Sequence, residues 1–351
     1  MARNSRAFFV SILSQTRNRA PYKNQQYLNH RASTYPVVRV AFLLFFLCAA
    51  LERDTPVRAG TAQDPPAFRA VTDDTGRSIR VAMAVRRVVS LSPSMTEIMY
   101  ALGLEDQLVG DTDYCDYPPE AAKKPRVGGV VNPSLEEIAA LKPDMVLVTS
   151  TNRWETVNAL ERLGLPSYAA EPRTLDEIRL LVRHLATVLG KPEAGEALDA
   201  RLRQQSESLE QKLKDLKPIR VFFVVWTDPV ISVGRHTFIA DALAHAGATS
   251  VVDSAQDWPQ ISLEEMVRLQ PEFLVFADSR PERAAREVEA LAERPGWNLL
   301  DAVKRRKVAV ISDAVNRPAP RLFTAVEDLA RQLHPGAFAG KPASPAFEEK
   351  N

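Results

Sequence analysis

The 351-residue sequence has only two cysteines, Cys48 and Cys115, and five histidines. Two thiols make neither a disulfide scaffold nor a thiolate metal cage. His184, His236, His245 and His334 stand at no metal-ligand spacing to one another. Charge of one sign is missing too: Lys and Arg number 45 against 44 for Asp and Glu, so no basic field marks a nucleic-acid partner. Also absent are a nucleophile elbow, a phosphate loop, a zinc motif and a Ser/His/Asp constellation, which counts against an enzyme. Scarce cysteine suits an oxidising compartment such as a bacterial periplasm.

What is present begins with an export signal. Arg39 precedes the apolar run from Val40 to Leu51, and a polar stretch then ends in Val57-Arg58-Ala59-Gly60, where Val57 and Ala59 suit a signal peptidase. The run is too short to cross a bilayer comfortably. Residues 1–60 are therefore expected to be an N-terminal extension and signal segment of a periplasmic protein. The polar, irregular residues before Val37 suggest a translation start near Val37 or Val38. Phe45-Phe46-Leu47 is a poor match to the small residues that precede a lipidated cysteine, so Cys48 is not read as a lipid anchor.

The remaining length suits two α/β units. Phe68 to Val81 reads as a hairpin around Asp73-Asp74-Thr75-Gly76. Val88 to Leu91 runs into Ser92-Pro93-Ser94 and a helix ending near Gly103, a strand-loop-helix unit. Strands are expected at Leu108-Val109, Met145 to Thr149 and Ser167 to Ala169, with helices at Leu135 to Leu141 and Glu155 to Leu163. A second series places strands at Ile219 to Val225, Val251-Val252, Phe273 to Ala277 and Val308 to Ile311, and helices at Phe238 to Ala246, Leu263 to Leu269 and Glu282 to Leu291. Between them, Thr174 to Leu189 and Pro192 to Leu216 read as helices, the second a strut of roughly 35 Å. The expected organisation is a first lobe with leading hairpin over 61–172, a helical connector over 173–217, a second lobe over 218–335 and a flexible tail over 336–351.

One element occurs twice. Ser134-Leu135-Glu136-Glu137 through Leu141-Lys142-Pro143-Asp144 aligns without a gap with Ser262-Leu263-Glu264-Glu265 through Leu269-Gln270-Pro271-Glu272, 128 residues later. Helix capping explains Ser134 and Ser262, and Glu137 and Glu265 would bond back three positions later. It does not demand Glu136 or Glu264, although the helix dipole favours them. The alternative is that each lobe presents one exposed carboxylate on the same side of the molecule, for docking on two basic pockets.

Val88 to Glu97, Thr112-Asp113-Tyr114-Cys115-Asp116-Tyr117-Pro118-Pro119, Leu141 to Asp144 and Trp258-Pro259-Gln260 together resemble the periplasmic cobalamin-binding proteins of ABC importers, over roughly residues 68 to 335. The resemblance implies two Rossmann-like α/β lobes joined by a long backbone helix, the class III periplasmic-binding arrangement, with one corrinoid gripped in the cleft. It implies a monomer without a resident cofactor, handing its ligand to an inner-membrane ABC permease. Glu136 and Glu264 match the family's permease-docking glutamates. Tyr114, Trp258, Asp313 and Arg317 match its cleft residues, while Val130 and Thr149 replace tryptophans that some members carry.

In open α/β sheets ligands bind beyond the carboxyl ends of the strands, which places Ser92, Pro93, Tyr114 and Trp226 at the cleft. Aromatic rings suit the broad apolar face of a corrinoid, and its amide rim needs a few hydrogen bonds. For Trp226, beside Phe222 and Phe223, core packing is the equal alternative, and Asp313 and Arg317 could equally serve an ordinary turn. His236 is placed to face a cobalt or haem iron, although a loop or helix-cap role accounts for it, and Cys115 reads as a small packed residue. A ferric siderophore or haem is the alternative ligand, with a two-lobed enzyme as the rival class.

Overall fold

The computed structural model describes residues 68–278 and 280–339; the expected signal segment, Cys48, the cleavage site and tail residues 340–351 lie outside them. The chain opens with a hairpin of β1 (Phe68–Thr72) and β2 (Ser78–Ala82). There follow β3 (Val88–Ser90), α1 (Pro93–Ala101), β4 (Leu108–Asp111), α2 (Leu135–Ala140), β5 (Met145–Thr149), α3 (Trp154–Arg162) and β6 (Ser167–Ala170). Two longer helices, α4 (Leu175–Val188) and α5 (Pro192–Leu213), come next. After them stand β7 (Ile219–Val224), β8 (Trp226–Thr227), β9 (Val230–Ile231), α6 (Phe238–His245), β10 (Ala248–Ser250), α7 (Leu263–Leu269), β11 (Phe273–Ala277), α8 (Pro281–Ala292), α9 (Asp301–Lys304), β12 (Val308–Ile311) and α10 (Arg321–Leu333).

The strands form two parallel sheets, ordered β4-β3-β5-β6 and β10-β7-β11-β12. Ranked by position along the chain, both read second, first, third, fourth, so the two lobes share one topology. Their central strands, β5 and β11 above all, are apolar on both faces, as sheets covered by helices on both sides require. In β5, Met145 and Leu147 enter one core while Val146 and Val148 enter another, and in β7 Val221 and Phe223 alternate in the same way with Phe222 and Val224.

The inner faces of both sheets belong to one continuous core. It runs from Met95, Leu147 and Tyr168 through Leu181, Leu185, Leu198 and Leu202 to Phe223, Val275 and Leu329. Helix α4 contributes a stripe at 175, 178, 181, 182 and 185, spaced for one helical face. Thr174 caps it by accepting the Glu177 N–H. Helix α5 starts on Pro192 and crosses α4 closely at Gly195, where a Cβ would lie 2.5 Å from the Ala186 methyl.

The hairpin is bolted to the first lobe by charge. The buried Asp73 carboxylate accepts the Thr75 and Arg77 N–H groups, and Gly76 supplies the left-handed turn residue at φ +85°. The Arg77 guanidinium bonds Asp73 and then reaches the Ser167 carbonyl and Glu161, while the Tyr168 hydroxyl donates to Asp74.

Three details differ from the sequence expectation. The strand expected at Val251-Val252 lies at Ala248–Ser250, because the Ser250 hydroxyl accepts the Val252 N–H and turns the chain away. Helix α10 was not anticipated, although 322, 326, 329 and 333 fall on one buried face. The tail expected from 336 begins inside a 3-10 turn, Pro335–Phe338, whose Phe338 ring lies under Lys212 and Arg331.

Candidate functional site

The carboxyl ends of the strands carry most of the residues singled out for ligand contact. After β3, the Ser90 hydroxyl donates to the Ser92 carbonyl at 2.9 Å, and the Ser92 and Ser94 hydroxyls sit 2.9 Å apart. Pro93 occupies the first turn of α1, where its missing N–H leaves no helix bond unmade.

After β4, the chain from Thr112 to Cys115 is stapled by Arg126, which donates to the Asp111 carboxylate at 2.6 Å and to the Thr112 and Cys115 carbonyls. That staple positions Tyr114, which is half-buried beside the 128–132 segment. Cys115 is buried, accepts from the Thr96 hydroxyl and shares a hydrogen bond with the Thr112 hydroxyl, and burial pushes its thiol up to about 11. It is a packed residue.

In the second lobe, Trp226 is half-buried and its indole N–H donates to the Asp228 carbonyl at 2.7 Å. Trp258 is half-buried against the continuous core. Asp313 opens the 3-10 turn that follows β12, and Ser312 caps that turn. His236 is exposed, with its Nε2 accepting from Arg235.

Arg317 is held between carboxylates of the other lobe. Its guanidinium donates to Glu97 of α1 at 2.8 Å and to Asp116 at 2.7 Å. Arg321 grips Glu97 with two further bonds, at 2.9 and 2.7 Å, and its guanidinium carbon stands 3.5 Å from the centre of the Tyr117 ring. Burial opposes the charge on Arg317, but Glu97 and Asp116 outweigh it and hold the guanidinium above its ordinary value. Sequence reasoning passed over Glu97, Asp116 and Arg321. The available signal was Glu97 itself, a carboxylate inside an α1 turn whose neighbours Met95, Ile98 and Met99 are all core residues.

The duplicated element is duplicated in three dimensions as well. Ser134 and Ser262 accept the Glu137 and Glu265 N–H groups at 3.2 and 3.1 Å. The reciprocal arm of the box expected from sequence is not made: the Ser134 N–H donates to the Val127 carbonyl, and Glu265 is taken by Arg268. Both helices end on a left-handed residue, Lys142 at φ +45° and Gln270 at φ +41°. In both, an arginine at the start of the lobe's first strand covers the terminal carbonyls: Arg87 bonds those of Leu141 and Lys142, and Arg220 those of Leu269 and Gln270. Asp144 and Glu272 return the contact to the Arg87 and Arg220 N–H groups. Glu136 and Glu264 thus occupy equivalent places on fixed helix starts. Both are exposed, and among the described residues neither has an ion-pair partner.

The periplasmic binding protein family model matches residues 88–315. The chain belongs to that family. It is 31% identical over 254 residues to the vitamin B12-binding protein of Vibrio cholerae, a match covering 70% of this chain and 88% of that one. The crystal structure of the periplasmic vitamin B12-binding protein of V. cholerae superposes with a TM-score of 0.62 at 29% identity, over 73% of this chain and 98% of that one. A periplasmic haem-binding protein from Roseiflexus in its apo form gives a TM-score of 0.64 at 27% identity, over 72% and 100%. The architecture is the class III one expected, and such family members are solute-binding components of ABC transporters.

Proposed function

We propose that this protein captures cobalamin or a related corrinoid in the periplasm and delivers it unchanged to an inner-membrane ABC permease. The observation that carries the choice of ligand is the neutralised charge around the cleft. Haem brings propionates, and ferric siderophores are commonly anionic, so both ask for unpaired cationic side chains. Here Arg317 and Arg321 are taken up by Glu97 and Asp116, and Arg173 by Asp257 and Glu171. A corrinoid with an apolar face and neutral amide arms asks for aromatic surface and hydrogen bonds instead, which the half-buried Tyr114, Trp226 and Trp258 provide with Asp313, the buried Ser92 and Pro93 backing the wall after β3. The identity to a vitamin B12-binding relative supports the same reading.

The corrinoid is cargo, and the protein works as a monomer with no resident cofactor and no nucleic-acid partner. It reaches the periplasm through the signal segment within residues 1–60. Glu136 and Glu264, the two carboxylates on equivalent helix starts, meet basic pockets of the permease.

Cobalamin is coloured, so gel filtration of the purified protein after mixing with cyanocobalamin tests the assignment: the expected result is a protein peak carrying corrinoid absorbance, with haem and a ferric siderophore run in parallel. A colourless peak, or tighter binding of either competitor, overturns it. Reversing both charges, Glu136→Arg with Glu264→Arg, should abolish uptake in cells while leaving cyanocobalamin affinity intact.

A further inference from the structure

We infer that Glu97 is the positioning residue of the cleft, pinning the two lobes at a fixed angle before ligand arrives. This rests on the cleft reading above for its effect on binding, but not for its geometry.

Four charged side chains meet across the lobes. Glu97 and Asp116 come from the first lobe, and Arg317 and Arg321 from the second. Glu97 is the hub: its side chain is 2% exposed, and it accepts one bond from Arg317 and two from Arg321. The guanidiniums are themselves well buried, with side-chain exposures of 13% and 18%. Asp116 and the Tyr117 ring complete the enclosure.

Three of the four members lie within four positions of a residue in the proposed ligand wall. Pro93 is four positions before Glu97 on α1, Tyr114 is two before Asp116, and Asp313 is four before Arg317. Three ligand-lining segments, drawn from both lobes, are therefore riveted at one point. Two carboxylates balance two guanidiniums, so the rivet is neutral while intact. Neutralising Glu97 weakens three cross-lobe bonds and leaves two buried guanidiniums facing Asp116 alone, so opening the lobes to hydrate them becomes favourable. A cleft whose walls are already set spends little binding energy on ordering itself.

Inter-lobe distance is the decisive measurement. Spin labels at Leu163→Cys and Leu299→Cys sit on side chains that are 54% and 53% exposed, one on each lobe. Cys115 is buried, and Cys48 is replaced by Ser in the same background. Without ligand, the wild type should give one narrow distance distribution, and Glu97→Gln a broader and longer one. Glu97→Asp, which keeps the charge, should recover much of the narrow distribution, and Arg321→Gln should fall between. Cyanocobalamin affinity should weaken about tenfold in Glu97→Gln, as the competent fraction falls to about a tenth.

A folded Glu97→Gln protein with the wild-type distribution overturns the inference. So does an affinity loss unaccompanied by any change of distance, because Glu97 would then act locally. If Glu97→Gln does not fold, Glu97→Asp and Arg321→Gln decide: wild-type distributions in both overturn the inference, and graded broadening sustains it. Failure of the wild type to bind cyanocobalamin would sink the ligand assignment and leave the distance test standing.

Discussion

Replacing Asp111 by Asn isolates one buried charge. The side chain is fully enclosed at the end of β4; its Oδ1 accepts from Arg126 at 2.6 Å, and its Oδ2 has no hydrogen-bond partner. Burial raises its pKa from 3.8 to about 7, with Arg126 pulling the other way. Between those two values the folded protein holds a proton that the unfolded chain has released. The stability this group contributes is thus fully present below pH 3.8 and is lost as pH rises to about 7. The slope is at most about 1.4 kcal/mol per pH unit, so about 3 kcal/mol disappears between roughly pH 5 and 7. Asn keeps an oxygen for Arg126 and has nothing to ionise. Urea unfolding of wild type and Asp111→Asn across that range should therefore give curves that separate, the variant gaining relative stability as pH rises. Other carboxylates impose their own slopes on both proteins and cancel in the difference. Parallel curves would refute the reasoning, since Asp111 would then be ionised beside Arg126 at every pH tested.

Ser134→Ala and Ser262→Ala should each cost about 1 kcal/mol in urea unfolding, and the double variant should cost the sum, because each serine caps only its own helix in its own lobe. Arg77→Met leaves the buried Asp73 carboxylate without its counter-charge and should cost about 3 to 5 kcal/mol by the same measurement. Gly234→Ala would bring a Cβ to 1.8 Å from the Gln256 carbonyl oxygen. With backbone on both sides the strain cannot be relieved by a rotamer, and the expected loss is about 4 kcal/mol or more, read as a large fall in melting temperature.

The architecture was legible because each of its rules is local. Apolar runs bounded by turns mark parallel strands, and the leucines of α4 and α5 fall on one helical face. Capping serines fixed the starts of α2 and α7. Boundaries slipped where a side chain intervened, as Ser250 does at the end of β10. The cleft was legible only in part. That Tyr114 and Pro93 follow strand ends could be read from the sequence, but the partners of Arg317 could not. Glu97 and Arg317 are 220 residues apart, and no local pattern pairs them. The same holds for Arg126, whose three acceptors, at the end of β4 and in the loop after it, precede it by more than ten positions. The equivalent, exposed placing of Glu136 and Glu264 was legible because the element carrying them occurs twice.

The core that passes from the first sheet through α4 and α5 into the second bears on calorimetry. Receptors hinged on extended strands can melt one half at a time. In this chain Leu185, Leu198 and Leu202 belong to the same buried cluster as residues of both sheets, so neither half keeps a closed apolar interior when the other unfolds. Heating should produce one endotherm whose calorimetric and van't Hoff enthalpies agree, and a chain cut after Lys191 should yield two fragments that fold only when mixed.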